Sequence, residues 1–386
     1  MLRIDSCNAV RFGSDSINNM RNLRNIELSN IANLYFEDSS LSWNSYVQTN
    51  NDFYTWDSLP TLKIKIEKST IRKISSFTFK GRIHTIMFRD SLIEDLAPFA
   101  FSSLTHNQII DFFNVEFINV QAQAFKKFPT ESLILTNSSF AVLPSRAFSD
   151  VTVTKAFLIK DCRFNTIRSS AFLIHNPEHF EIMNSELNVL EGEGFKVMTR
   201  GSVKIENNVF NTTYGGAFVG ISLDKEKVYT KEEILFNFDT FNYLERKSLE
   251  INSTSFSAKY SNIFINQECT CQFTNYEMED NKDHEEFQCL FEDNKRITLK
   301  EFKENHCSVL SGYSTIIIVL GVVLILFIII FSGLLFYFKR VYKNQQEYLT
   351  DKNGKPISVI MPDGRTYRET ELHVVVERAD LLTTDL

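Results

Sequence analysis

The chain has no catalytic signature. Its seven histidines are scattered, with no H-E-x-x-H, no G-x-S-x-G and no paired catalytic thiol and imidazole. Its 13 glycines nowhere form a phosphate-binding loop. Neither an enzyme nor a cofactor is expected. Basic excess is also missing: 48 acidic against 41 basic side chains give a net charge of -7. That argues against nucleic acid as a partner, because phosphate binding wants a basic face. No charged-then-apolar leader stands at the start, and no polar unit caps the first apolar pattern. The chain reads as beginning inside a repeat.

Phenylalanine is abundant, 35 in 386 residues. It recurs at Phe79, Phe101, Phe125, Phe148, Phe172, Phe195 and Phe218, at intervals of 22 to 24 residues. Five residues before each sits Ile74, Leu96, Val120, Leu143, Ile167 or Leu190, with Thr213 as the one miss. An apolar-x-apolar pair such as Ile86/Phe88 or Leu133/Leu135 opens each unit. A fixed period of this length marks a solenoid, in which each unit buries its apolar face against its neighbours. An eighth unit follows a longer connection from Ile221 to Lys231.

The unit from Leu133 to Phe148, with Leu135, Phe140, Leu143 and Pro144 in its apolar and turn columns, resembles the leucine-rich repeat. That resemblance implies an α/β-type solenoid: a horseshoe with parallel strands on its concave face and an irregular or short-helical convex side. Where the family places asparagine, this chain has Ser69, Ser91, Val115, Ser138, Cys162, Ser185, Asn208 and Asp239. Short polar side chains there can bond the adjoining turn; Val115 cannot, and an irregular turn is expected at that unit. Cys7 and Cys162 fall in the same column and read as buried thiols.

Residues between and just after the strand positions point to the concave face. They gather an apolar patch from Met87, Phe113, Ile134, Leu158 and Met183, with Arg89 and Lys160 among its polar neighbours. An apolar patch with a polar rim is what a protein-binding surface looks like, although scattered surface hydrophobes are ordinary. A third column, Lys68, Asp90, Asn114, Asn137, Asp161, Asn184, Asn207 and Phe238, reads either as a rim of that face or as turn chemistry at the strand ends. Three N-glycosylation triplets begin at Asn137, Asn211 and Asn252; a glycan on Asn137 would block one rim of the patch.

Cys269, Cys271, Cys289 and Cys307 follow the repeats. Spacing alone leaves three pairings open, with a zinc site including His284 or His306 as the rival. C-x-C with two later cysteines resembles the cap that closes extracellular leucine-rich-repeat domains, and the resemblance implies Cys269–Cys289 and Cys271–Cys307. The acidic run from Glu277 to Glu286 reads as a solvated loop. Residues 314–338 carry no charge and are long enough to cross a bilayer as a helix. Lys339, Arg340 and Lys343 then set the C-terminal side in the cytoplasm.

The expected plan is therefore degenerate or truncated N-terminal repeats at 1–63, repeats at 64–262, a cysteine-rich cap at 263–310, the span, and a mostly disordered cytoplasmic tail at 339–386. The tail is too short for a catalytic domain; 357–361 and 366–376 flank a turn that would form at most a marginal hairpin. Glu377, Leu381 and Leu382 resemble an acidic dileucine signal for endocytic adaptors. Thr384 and Leu386 resemble a terminal ligand for PDZ scaffolds. The expectation is a plasma-membrane receptor or adhesion protein that binds an extracellular protein. The alternative is a non-signalling structural or trafficking co-receptor.

Overall fold

A computed structural model describes residues 1–17, 20, 22–43, 61–224, 232–252, 254, 256–271, 284–293, 295–307, 309–348, 359–360 and 366–367. The chain divides into two units, Met1–Cys307 and Ser308–Leu386, which are taken separately.

The first unit is a β-solenoid of about ten turns. Each turn lays short strands on three parallel ribbons. Ribbon A contains Leu2–Asp5, Asn25–Ser29, Leu62–Glu67 and Pro129–Thr136. Ribbon B contains Ala9–Phe12, Asn33–Phe36, Thr70–Ile74 and Val209–Thr213. Ribbon C contains Phe79–Gly81, Phe101–Leu104, Phe172–His175 and Phe195–Thr199. Pairing is parallel and holds one column per residue, as in Ile64↔Ile86, Ile86↔Ile110 and Ile110↔Leu133 on ribbon A. The flank expected to be irregular or short-helical is thus built of two further strand ribbons. Their inward columns mix leucine with β-branched and aromatic residues, and the latter two fit a pleated surface better than a helix.

Six of the recurring phenylalanines, Phe79 to Phe195, form one continuous pile beneath ribbon C, while Phe218 meets Phe210 and Phe236 edge-on. Ring centroids lie 4.6 Å apart for Phe79–Phe101 and Phe101–Phe125, 4.2 Å for Phe125–Phe148, 4.9 Å for Phe148–Phe172 and 5.1 Å for Phe172–Phe195. Parallel strands sit about 4.8 Å apart, so a ring in the same place on every turn must stack on its neighbour. Each such pair adds about 1 kcal/mol beyond the area it buries. A second pile, Phe117, Phe140 and Phe164, lies behind ribbon B with spacings of 4.3 and 5.0 Å.

The corners turn on residues with left-handed backbone. The third column identified above is the A/B corner: Lys68, Asp90, Asn114, Asn137, Asp161, Asn184, Asn207 and Phe238 all have φ between 48° and 57°. Asparagine and aspartate tolerate that conformation better than most residues. The column is turn chemistry, as one of its two readings had it.

Just past that corner, a buried ladder ties successive turns together. Ser69 Oγ accepts the Ile31 amide at 3.1 Å, Ser91 Oγ the Ser69 amide at 3.2 Å, and Ser138 Oγ the Val115 amide at 3.1 Å. Ser185, Asn208 and Asp239 continue it. The irregular turn expected at Val115 is not found. Val115 is buried within the strand Asn107–Val120, because Asn114 supplies the left-handed corner and Ser138 of the next turn takes the amide. Cys162 is buried in the same ladder, whereas Cys7 is only half-buried on the first turn; both are free.

The coil extends past the expected repeat limits at both ends. Leu2↔Ile26 and Ile26↔Ile64 are in register, so the described strands before residue 64 belong to the same coil. The 38-residue step from Ile26 to Ile64, against 22 to 24 between Ile64 and Val203, hid them from the period. At the far end, Phe256–Ser261 pairs with Glu232–Asn237, and Ile263–Glu268 with Thr240–Leu244. Phe287–Phe291 then pairs with Ile263–Glu268, and Lys295–Thr298 turns back antiparallel against it. Helix α1, Leu299–His306, buries Leu299 and Phe302, and Thr298 caps it by accepting the Glu301 amide. The cap is locked by Cys269–Cys289 and Cys271–Cys307.

In the second unit, helix α2 runs from Val309 to Tyr348. Its segment Ile317–Tyr342, 26 residues, is long and apolar enough to cross a membrane. Val359–Ile360 and Thr366–Tyr367 form a short antiparallel pair where the turn was expected. Glu377, Leu381, Leu382, Thr384 and Leu386 lie outside the described residues.

Candidate protein-binding face

On ribbon A, alternate side chains point inward to the core and outward to solvent. The register places the outward residues in two adjoining columns. One runs Lys65, Met87, Asp111, Ile134, Leu158, Glu181 and Lys204; the other runs Glu67, Arg89, Phe113, Thr136, Lys160, Met183 and Glu206. Met87, Ile134, Leu158 and Met183 are half-buried by their neighbours, while Lys160 is exposed. Phe113 remains 40% exposed.

The centre of the face is a three-residue cluster. The Arg89 guanidinium lies 5.7 Å from the centre of the Phe113 ring and 3.6 Å from Asp111 Oδ2. Burial pushes the Asp111 carboxyl above its ordinary range, and the Arg89 charge opposes that rise. The carboxylate in turn holds the guanidinium where it can lie against the aromatic ring. The sequence reading named Arg89 and Phe113 but left Asp111 out of the patch. An acidic residue inside an apolar column looks like an interruption until the register sets it diagonally beside Arg89.

The two ends of the face are charged. Lys65 bonds Glu67 at 2.6 Å and Lys204 bonds Glu206 at 2.5 Å. These pairs hold Lys204 above and Glu206 below their ordinary ranges, chiefly through that shared hydrogen bond. The patch is thus apolar with one embedded ion pair at its middle and ion pairs at its edges.

The corner beside the patch is polar. Asn114 donates to Asp90 Oδ1 at 2.7 Å and Asn137 donates to Asn114 Oδ1 at 3.1 Å. Asn184 and Asn207 repeat the arrangement on Asp161. Every donor points toward the N-terminal side, so an aspartate, which cannot donate, begins each run. A trough of about 540 Å³ follows this corner, lined by Lys68, Ser91, Asn114, Glu116, Asn137 and Ser139 among others. Asn211 lies mid-strand on ribbon B and Asn252 in the loop before Phe256–Ser261.

The Cys162 thiol faces the Leu135 and Lys160 carbonyls at 3.4 and 3.2 Å, and burial pushes it up to about 12. It is a core thiol with no nucleophilic character. No family model, curated protein or solved structure matches the chain.

Proposed function

We propose that this is a single-span membrane protein, akin to leucine-rich-repeat receptors, whose coil stands outside the cell and binds a protein through ribbon A. Support for the kinship is the 22-to-24-residue period, the polar ladder after each corner and the doubly bridged cap. Disulfides belong to oxidising compartments, and Lys339, Arg340 and Lys343 beyond the apolar helix favour a cytoplasmic C-terminus.

The observation that carries the binding reading is Phe113. Phe77 and Phe238 are also exposed in the coil but stand at left-handed corners, whereas Phe113 lies 40% exposed on the face of ribbon A, beside an arginine whose partner carboxylate is nearly buried. Aromatic residues and arginine supply most of the energy in protein interfaces. The tail would then act through scaffolds and adaptors. The test is to display the full chain on cells and screen it against a library of secreted and ectodomain proteins. A binder should lose roughly thirtyfold or more in affinity with Phe113→Glu or Leu158→Glu. Unchanged affinity in both variants removes ribbon A from the site.

A further inference from the structure

One buried side chain carries a hydroxyl that the fold does not use. Thr213 occupies the inward column of ribbon B otherwise filled by Ile74, Leu96, Val120, Leu143, Ile167, Leu190 and Leu244. It is 0% exposed, and its hydroxyl has no hydrogen-bond partner among the described residues. A buried unpaired hydroxyl is destabilising where valine of the same shape would serve. Two residues earlier, Asn211 points outward from the same strand, half-exposed. Asn211-Thr212-Thr213 is an N-glycosylation triplet, and its third residue must carry a hydroxyl while the chain is still unfolded.

We propose that Asn211 carries an N-linked glycan, and that Thr213 is threonine because the transfer requires it before folding buries it. This rests on the extracellular placement proposed above. The transfer joins Asn211 Nδ2 to the anomeric carbon of an oligosaccharide carried on a polyprenyl diphosphate. The carbon–oxygen bond to the diphosphate breaks, the diphosphate keeps the electron pair, and the displaced amide proton goes to solvent.

The folded structure accommodates the product. Asn211 belongs to a second asparagine ladder: it donates to Asn188 Oδ1, accepts from Asn242, and spends its other N–H on Glu186 Oε1 at 3.3 Å. Glycosylation removes one N–H, which the long Glu186 bond can give up, and leaves the other for Asn188. Two exposed rings border the site, Tyr214 at 43% and Tyr243 at 50%, the latter in register with Thr212. A sugar standing on Asn211 covers apolar surface that otherwise faces water. It also stands on ribbon B and leaves the Phe113 patch of ribbon A open.

The experiment expresses the full chain in cells with a secretory pathway and removes glycans enzymatically in ¹⁸O water, which marks each occupied site by mass. The mark is expected at position 211 in the natural chain and in Thr213→Ser, and lost in Thr213→Val, which still reaches the cell surface. A mark at Asn137 or Asn252 without one at position 211 overturns the proposal while the orientation stands. No mark at any of the three, with the coil digested by protease added outside sealed microsomes, overturns the orientation as well.

Discussion

At the scale of single residues, the buried ladder shows how one position can set a pH dependence. Asp239 Oδ1 accepts from the Asn208 amide at 2.9 Å and from its side chain at 3.0 Å, while Oδ2 is buried without a partner among the described residues. Elsewhere in the column Ser138, Cys162 and Asn208 each also donate to a carbonyl of the preceding turn. An ionised aspartate has no proton for that bond. Burial pushes Asp239 from 3.8 up to about 7, so the native state keeps a proton that the unfolded chain releases. Stability is therefore fullest below the unfolded value, falls as pH rises through this window and levels off above about 7. Asp239→Asn should flatten that slope and stabilise the coil at neutral pH, on the order of a few kcal/mol. Denaturant titrations across the window check it, and an unchanged slope refutes it. Thr213→Val, argued on the same grounds, should raise stability by about 1 kcal/mol, measurable on deglycosylated protein.

At the scale of elements, the aromatic pile and the cap do different work. Phe125 touches Phe101 at 4.6 Å and Phe148 at 4.2 Å, so Phe125→Ala opens a hole inside the stack. It should cost about 3 to 5 kcal/mol. Because turns couple only to their neighbours, hydrogen exchange should quicken most in the adjoining turns and least in the cap. The cap covers the last turn with Phe287, Cys289, Leu299 and Phe302, all buried. Its bridges span 20 and 36 residues, and losing Cys271–Cys307 through Cys307→Ser should cost about 3 to 4 kcal/mol in the chain-entropy account. Thermal melts with and without reductant measure it; equal melting temperatures would mean the bridge adds nothing.

For the whole molecule, the segment Ile317–Tyr342 is long and apolar enough to cross a membrane, and the proposed anchoring is tested on it. Full-length protein should stay with membranes after alkaline carbonate extraction. Ile325→Arg combined with Ile329→Arg should release it, since each central arginine costs about 3 kcal/mol of insertion. Retention of the double variant would mean that something other than this helix holds the chain. Trypsin added to intact cells should remove the coil and spare the tail if the proposed orientation is right.

Much of the coil was legible because a solenoid repeats its local physics. Phe79 to Phe195 announce the period, the alternation Ile86/Phe88 announces the strand, and the Asn/Asp column announces a left-handed corner. Apolar content and length likewise announced a helix long and apolar enough to cross a membrane. What the sequence could not determine was how far the coil extends and what its flanks are made of. The longer step from Ile26 to Ile64 broke the spacing although the register survives it, since pairing depends on where strands lie and not on the sequence distance between them. Nor could it show that ribbons B and C replace the irregular flank, because a short inward apolar column reads alike in a strand or an irregular turn. The Arg89–Asp111–Phe113 cluster and the unpartnered Thr213 hydroxyl were set by the stacking of turns. Residues some two dozen apart become neighbours only when parallel strands fix which of them stand side by side.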